Sequence, residues 1–508
     1  MKHLILIQIL ILFVCFPTHA QTDTIPAFVK DSLDNYISKA MKDWEIPGMS
    51  VCIVKNGKPV LIKGYGVKEL GKADPVDENT LFMIGSNTKA FTATAIATLD
   101  AENKLSLDDK VTKWIPEFKL ENKAAGEQAI VRDLLCHRIG FMTFQGDFTY
   151  WTSNLTRMEV IEKMSHIKAV YPFRSKWGYT NASFLTAGEI IPKVTGQKWE
   201  DYIRERIFIP LGMKNSLALS KDFPAASNKA EPYSRADGKL VKIPYCLIDN
   251  LAPAGSIASS ASDMSKWVMM QIDNGKFEGR EIVPLKAIQS IRYPNSIMGN
   301  GTVQFNKSNF TLYGLGLVLQ DYEGRRIISH TGGVNGYVSS VTMIPAEKLG
   351  IIILTNTDQN ALYEALKWEI LDSYLGLPLR HYSNVFLASN RDRNYADQKK
   401  EKKLIDSVEL KLKTDLPLTA YTGNYFNEVY GNMKVVIEEG ELRMKFEHHP
   451  NMYAKLSALG TSRFYAVFTD PEMGTAVFSF KLENGKVKGV TVKVADFVEY
   501  TPYEFTKK

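Results

Sequence analysis

The chain has 508 residues and a formal net charge of +6; 45% of its residues are hydrophobic and 23% are charged. This length predicts two or more domains, and the apolar fraction is sufficient for a full hydrophobic core. Acidic and basic residues are interspersed without a basic stripe, so we expect no nucleic acid partner.

Residues 1–20 have the pattern of a secretory signal peptide. A short basic start precedes an apolar stretch up to Phe16, and Ala20 is a small residue at the expected cleavage point. The stretch is too short and wrongly flanked for a stable membrane span, so we expect a mature chain that starts at Gln21 and is periplasmic or secreted. Lipid attachment at Cys15 is the alternative, but the small residue that usually precedes such a cysteine is missing.

Ser86 and Lys89 are the first candidate catalytic residues. They lie three positions apart, just before the run Ala90–Leu99, which predicts a buried helix. Residues at this spacing share a helix face, with Cβ atoms about 5–6 Å apart, so the amine can contact the hydroxyl. A lysine that loses its charge through burial can activate a serine nucleophile. The spacing alone is more typical of an N-cap serine followed by a solvated lysine.

Tyr179 and Asn181 form the second candidate group. A nearby lysine cation is expected to lower the pKa of a phenol, so Tyr179 can relay the serine proton to a leaving group. The Asn181 amide can fix the Lys89 amine or bind a substrate carbonyl. The alternative is a core aromatic residue beside a turn asparagine.

The third group follows the strand-like run Arg325–Ser329 and consists of His330, Thr331, Gly332 and Gly333. Because glycine allows close backbone approach, we expect a substrate to lie along this strand edge. The N–H groups of Gly333 and Ser86 are the candidate oxyanion hole. The alternative is an ordinary glycine turn in a hairpin.

Together these groups resemble the serine β-lactamase and penicillin-binding protein superfamily, whose motifs are Ser-x-x-Lys, a second polar triplet and Lys-Thr-Gly. With Tyr-x-Asn as the second triplet, the chain resembles the class C branch of AmpC-type β-lactamases, DD-peptidases, D-aminopeptidases and related esterases. The resemblance implies an α/β (α+β) domain with a mainly antiparallel sheet flanked by helices. Further segments that fit this branch are Leu105–Val111, Val131–Phe141, Pro253–Met264 and Ile352–Asn356.

His330 stands where the β-lactamases of this branch have a lysine. Lysine helps to hold the carboxylate of a penicillin or of a peptide, whereas histidine, with a free pKa of about 6.5, is mostly neutral near pH 7. His-Thr-Gly is similar to D-aminopeptidase, esterase and LACTB-like members. We therefore do not expect penicillin hydrolysis as the main activity.

The composition changes after the helix-like run Ala361–Leu371. We predict a catalytic domain over residues 21–385, a charged helical linker over 386–415 and a small all-β domain over 416–508. Short β-forming runs between turn residues predict an up-and-down barrel or a sandwich in this last domain. Tyr421–Tyr425 resembles the opening of lipocalin-like domains. The domain is expected to cover the active site, to bind substrate or to mediate assembly.

The sequence predicts no metal site, cofactor or disulfide framework. The eight histidines are scattered, and the adjacent pair His448-His449 is expected in a solvated polar turn. Cys52, Cys136 and Cys246 of the mature chain are odd in number and not closely spaced.

These features predict a secreted or periplasmic serine hydrolase that cleaves an amide or ester bond of a small-molecule or peptide acyl substrate through a Ser86 acyl-enzyme. One alternative is an acyltransferase that passes the same acyl group to an alcohol or amine. The other is a sensor that binds penicillins or peptides without turnover. No oligomeric state is predicted. Aromatic residues that can line the pocket or belong to the core and loops are Phe141, Phe144, Tyr150, Trp151 and Tyr245.

Overall fold

The computed structural model describes residues 24–236, 238–301 and 304–508. The predicted signal peptide and Cys15 lie outside these residues. Within the described ranges, no helix combines the length and the apolar character that crossing a bilayer requires.

The strands, in chain order, are β1 (Gly48–Lys55), β2 (Lys58–Gly66), β3 (Phe82–Met83), β4 (Tyr233–Ala236), β5 (Lys239–Lys242), β6 (Ala258–Ser259), β7 (Lys276–Phe277), β8 (Arg280–Glu281), β9 (Ser296–Asn300), β10 (Phe310–Tyr313), β11 (Val318–Tyr322), β12 (Arg325–Val334), β13 (Tyr337–Ile344), β14 (Leu349–Thr355), β15 (Gly423–Asn427), β16 (Gly431–Glu438), β17 (Glu441–Phe446), β18 (His449–Ala458), β19 (Arg463–Phe468), β20 (Thr475–Glu483), β21 (Lys486–Val492) and β22 (Tyr503–Lys507).

The α-helices are α1 (Leu33–Trp44), α2 (Thr88–Ala101), α3 (Val111–Trp114), α4 (Lys123–Gln128), α5 (Val131–Leu135), α6 (Asp147–Tyr150), α7 (Arg157–Lys163), α8 (Asn181–Gly188), α9 (Ile190–Thr195), α10 (Trp199–Ile203), α11 (Ile209–Leu211), α12 (Ala252–Gly255), α13 (Ala261–Ile272), α14 (Leu285–Ile291), α15 (Leu362–Tyr374), α16 (Tyr382–Glu409) and α17 (Leu418–Tyr421).

The first domain is built on an eight-stranded sheet in the order β2-β1-β14-β13-β12-β11-β10-β9, and each neighbouring pair is antiparallel. Both faces of its central strands are covered. Along β1, Val51 and Ile53 belong to the core that includes α1 and α15, whereas Cys52 and Val54 belong to the core that includes α2 and α13. Burial on both faces explains why β1 and β14 are apolar nearly throughout. The predicted antiparallel sheet with flanking helices is confirmed.

Helix α2 passes through the middle of this domain, and its residues from Thr88 to Leu99 are all buried. A helix that is apolar on all sides belongs inside a core. Its first turn therefore carries Lys89 into the interior.

Strands β15 to β22 form a closed barrel in sequence order, in which β22 pairs back with β15. Alternate side chains fill it, as in β17, where Leu442, Met444 and Phe446 are buried. The period-two pattern thus gives the barrel rather than the sandwich. Closed eight-stranded barrels also occur in lipocalins, but a relation to them stays a prediction. The preceding charged segment belongs to the long helix α16, which touches the barrel where Tyr465 Oη donates to Glu401 at 2.8 Å.

The barrel receives one aromatic side chain from the first domain. Phe148 of α6 is 1% exposed, and its ring lies among four barrel-domain rings. The centroid distances are 4.9 Å to Tyr430, 5.6 Å to Phe446, 5.5 Å to His449 and 5.4 Å to Tyr503. Aromatic packing of this kind contributes beyond the area that it buries, so the two domains share a core.

His449 belongs to this contact, and the prediction that it is solvated is wrong. Its side chain is 4% exposed, with Nδ1 2.6 Å from Tyr430 Oη and Nε2 2.9 Å from the backbone oxygen of Trp151. His448 and His449 lie where the first domain contacts the barrel. The residues next to them in the sequence do not indicate this contact. Burial lowers the pKa of His449 to about 4.

Strands β12 and β13 press directly on the turn that precedes α2. A Cβ on Gly332 would lie 1.9 Å from the backbone oxygen of Ile84. Ser339 of β13 donates to that same oxygen at 2.7 Å and accepts from Asn87 Nδ2 at 2.8 Å. Protein packing, rather than a substrate, therefore requires glycine at position 332.

We predict that Gly332→Ala lowers the free energy of unfolding by about 1–3 kcal/mol, because the new methyl group meets backbone that cannot move aside. The matched control is Gly333→Ala, whose Cβ would meet only the Phe497 ring, at 3.4 Å. Urea denaturation of both variants measures the difference. Equal stability of the two variants would contradict this account of the strand contact.

Candidate active site

Ser86 lies in the short 3₁₀ turn Gly85–Asn87 that leads into α2. Gly85 has φ +51°, and a Cβ there would lie 3.0 Å from the nitrogen of Gly333, so both the conformation and the space favour glycine. Lys89 Nζ is 3.1 Å from Ser86 Oγ. The structure thus brings together the first predicted pair at hydrogen-bond distance.

Lys89 is fully buried, and three oxygen atoms surround its amine. Besides Ser86, these are Asn181 Oδ1 at 2.7 Å and the backbone oxygen of Ala254 at 2.8 Å. Burial lowers the pKa of Lys89 to about 7, while the negative charge of Asp147 acts in the opposite direction. A large fraction of Lys89 is therefore a neutral amine near pH 7.

Asn181, the first residue of α8, has both ends of its amide bonded within the protein. Its Oδ1 faces Lys89, and its Nδ2 donates to Asp147 Oδ2 at 2.6 Å. Because Lys89 Nζ donates to Oδ1 and Asp147 Oδ2 accepts from Nδ2, the two contacts together fix which way the amide points. Of the two predicted uses of Asn181, the geometry supports contact with Lys89 rather than with a substrate carbonyl.

The Tyr179 side chain lines the cavity together with Ser86, and Lys89 Nζ lies 4.7 Å from the centre of its ring. The expectation of a lowered pKa is wrong. Burial raises the pKa of Tyr179 above its ordinary value, and the neighbouring Ser86 hydroxyl offsets only part of that. Tyr179 is therefore a neutral phenol that can donate a proton.

His137 holds the backbone of this segment. Its Nδ1 accepts from the N–H of Thr180 at 3.0 Å, and its ring centre is 4.4 Å from that of Tyr179. Burial, and to a smaller extent the nearby Lys89, lower the pKa of His137 well below its ordinary value. The histidine is thus an uncharged support between Tyr179 and Asn181.

His330, Thr331, Gly332 and Gly333 lie within strand β12, which continues to Val334. The hairpin-turn alternative for these residues is therefore wrong. His330 Nε2 is 3.1 Å from Tyr313 Oη, and Nδ1 is 2.6 Å from the backbone oxygen of Thr331. Because that oxygen only accepts, Nδ1 carries the proton. Burial and then Lys89 lower the pKa of His330 to about 3, so it is neutral at pH 7.

A cavity of about 280 Å³ lies in front of Ser86. Of the predicted site residues, it is lined by Ser86, Tyr179, Asn181, His330, Thr331 and Gly333. Lys89 and Gly332 are not in this lining: Lys89 is fully buried, and Gly332 lies against the backbone of Ile84.

The candidate pocket aromatics divide into two groups. Phe144 and Trp151 line the cavity, whereas Phe141 and Tyr150 are buried in the core. Tyr245 is not in the lining and donates to Glu231 at 2.7 Å.

Asp147, Phe497 and Glu499 are site residues that the sequence analysis missed. Asp147 is 2% exposed. Its burial, and to a smaller extent the nearby Glu499, raise the pKa of Asp147 well above its ordinary value. Glu499 accepts from the N–H groups of Gly146 at 2.8 Å and Phe148 at 2.9 Å. No local pattern identifies Phe497 and Glu499, because they lie more than 300 positions in sequence from the helix that they contact. For Asp147, the one signal was its position next to the aromatic run Phe148–Trp151.

Among the described residues, no cluster of His, Cys, Asp or Glu has three members placed to hold a metal ion. The three described cysteines, Cys52, Cys136 and Cys246, are buried free thiols.

Comparison with known proteins gives two family matches. The profile described as Beta-lactamase matches residues 33–375, and a domain of unknown function (DUF3471) matches residues 409–507. Unguisins hydrolase ungD of Aspergillus violaceofuscus (strain CBS 115571) is 25% identical over 453 residues, which cover 83% of this chain and 79% of that protein. Protein flp of Staphylococcus aureus (strain MW2) is 27% identical over 379 residues, covering 73% and 70%.

Two solved structures share the fold. The octameric penicillin-binding protein homologue from Pyrococcus abyssi has a TM-score of 0.59 and 23% identity, covering 93% of this chain and 99% of that one. The D-stereospecific amidohydrolase from Streptomyces sp. has a TM-score of 0.53 and 21% identity, covering 67% and 98%.

We predict that the second-order rate constant for labelling of Ser86 by a fluorophosphonate rises with pH and levels off above about 7. Protonated Lys89 cannot accept the serine proton, and the neutral amine that forms above its pKa can. Intact-mass spectrometry over a pH series measures the rate. The control is Lys89→Met, which is expected to label slowly at every pH. A labelling rate constant that still rises near pH 10, the pKa of a solvated lysine, would contradict the role of Lys89 as the base.

Proposed function

The chain belongs to the beta-lactamase family, and from this membership and the geometry around Ser86 we propose a serine hydrolase that cleaves an amide or ester bond through a Ser86 acyl-enzyme. Tyr179 and Asn181 in the second motif support a class C-like type.

The partners of Lys89 carry this proposal. A neutral amine has two N–H donors and one lone pair. Asn181 Oδ1 and the Ala254 oxygen only accept, so they take the two N–H groups. The lone pair is left for the third contact, 3.1 Å away at Ser86 Oγ. In this arrangement the hydroxyl donates to the amine, as a general base requires.

In the acylation step, Ser86 Oγ attacks the carbonyl carbon and its proton passes to Lys89. The oxyanion that forms is stabilised by the N–H groups of Ser86 and Gly333, which both border the cavity. When the scissile bond breaks, the neutral phenol of Tyr179 gives its proton to the leaving amine or alcohol, and the Lys89 ammonium reprotonates Tyr179. No cofactor takes part.

In the second step, a water molecule attacks the acyl-enzyme and the same residues act in reverse. Water gives a proton to Lys89, and Ser86 recovers its proton as the acid leaves. The family relative named as a hydrolase of unguisins supports water as the acceptor rather than an alcohol or amine.

The place of action and the domain division belong to the same proposal. The N-terminal pattern of residues 1–20 supports export to the periplasm or the medium. Residues 21–385 form the catalytic unit, 386–415 the linker and 416–508 the barrel unit. The family matches at 33–375 and 409–507 support this division.

We predict that Ser86→Ala lowers kcat/KM for 4-nitrophenyl acetate by at least about 10³-fold, because the nucleophile is lost while the fold is kept. Release of 4-nitrophenol measures the rate, and rapid-quench mass spectrometry measures the acetyl adduct on the Ser86 peptide.

The matched control is Ser389→Ala on the exposed part of α16, which is expected to have wild-type activity. Activity of Ser86→Ala close to that of wild type, or an adduct on another residue, would contradict the proposal. Ester formation in the presence of an added alcohol would instead identify acyl transfer.

A further inference from the structure

The wall of the cavity that contains Ser86 is mostly apolar. Its side chains come from distant parts of the chain and include Phe144, Trp151, Trp177, Met298, Val318 and Phe497. Burial of an apolar group against such a wall stabilises a complex by about 25 cal/mol for each Å² removed from water.

No lysine or arginine side chain is among the described residues that line this cavity. His330 is neutral, with a pKa near 3 because of burial and Lys89. The one lining carboxyl group, that of Asp147, accepts from Asn181 through Oδ2 at 2.6 Å and leaves Oδ1 without a hydrogen-bond partner among the described residues. A carboxylate on the bound acyl group would lose its hydration and gain no cation in return, which is costly. An ammonium group would find only this carboxyl group, and burial together with the neighbouring Glu499 raises the pKa of Asp147 well above its ordinary value, which favours the form without a counter-charge.

The cavity is large enough for an aromatic acyl group. A cavity of about 150 Å³ lined by apolar side chains is large enough for benzene. The space in front of Ser86, about 280 Å³, therefore has room for a phenyl group and the carbonyl to which it is attached.

The barrel contributes Phe497, which lies on the loop between β21 and β22. The loop is held in place on the first domain, since Glu499 binds the N–H groups of Gly146 and Phe148. The Phe497 ring is 3.4 Å from the position of a Cβ on Gly333 and makes an edge contact with Trp151 at 6.4 Å between centroids. It remains 42% exposed, so part of the ring is free to contact a ligand.

We propose that the acyl group transferred to Ser86 is uncharged and apolar, about the size of phenylacetyl, and that Phe497 of the barrel determines this specificity. The proposal rests on the proposed function, since it concerns the acyl group of the same acyl-enzyme. It also assigns the barrel one of its expected roles, that of binding substrate.

The test uses boronic acids, which form a reversible adduct with a nucleophilic serine and need no turnover. Methylboronic, benzylboronic, 4-carboxybenzylboronic and 4-(aminomethyl)benzylboronic acids are titrated into the full chain by calorimetry. Benzylboronic acid is expected to bind at least about tenfold more tightly than the other three. Equal or tighter binding of either charged analogue would overturn the proposal.

Phe497→Ala is expected to weaken benzylboronic acid by about tenfold and to leave methylboronic acid unchanged, because only the phenyl group reaches the ring. The matched control is Phe426→Ala in β15, a barrel phenylalanine outside the cavity lining, for which both affinities are expected to equal those of wild type. An unchanged preference in Phe497→Ala would remove Phe497 from the specificity site.

The variant Ser86→Ala distinguishes a failure of the proposed function from a failure of the proposed acyl specificity. Loss of all boronate binding in this variant supports the serine nucleophile, and the analogue series then decides the acyl specificity alone. Boronates that bind Ser86→Ala as well as wild type, or that do not bind wild type at all, would overturn the proposed function together with this inference.

Discussion

The buried amine of Lys89 is the constraint around which the site is organised. Burial of a lone ammonium ion costs several kcal/mol, and a protein lowers that cost by pairing the ion or by lowering its pKa. Here the lowered pKa, about 7, is combined with three oxygen contacts. The carbonyl of Ala254 and the orientation of the Asn181 amide both serve this one nitrogen.

The second organising feature is the docking of the barrel on α6. Phe148 fills the barrel end, while the adjacent Asp147 fixes Asn181 and thereby Lys89. Glu499 binds the backbone on both sides of Asp147, and its negative charge is one of the causes that raise the pKa of that residue. The barrel is therefore connected to Lys89 through a single turn of chain, and the first domain and the barrel share both a core and a wall of the cavity.

The sequence predicted what depends on local spacing and missed what depends on docking. Ser86 and Lys89 could be paired because a helix fixes their separation, and the apolar run beyond them marked its burial. The raised pKa of Tyr179 could not be predicted from the sequence. The motifs indicate that a lysine lies nearby, which would lower the pKa, but the complete burial that raises it is set by the surrounding fold. Phe497 and Glu499 lie far from every motif, so only the closed barrel could bring them to the site.

In the proposed mechanism, the neutrality of His330 affects how Lys89 acts as a base. A lysine at position 330 would place a second cation near Lys89, and like charges favour the neutral amine. With histidine there, burial is the cause that lowers the pKa of Lys89, and Asp147 opposes it. The strength of the base then depends on how well water is kept out of its surroundings. The barrel loop that carries Phe497 and Val498 closes one side of the cavity. An apolar acyl group would complete that exclusion, so the wall that we propose to select the substrate would also favour the neutral amine that the proposed mechanism requires.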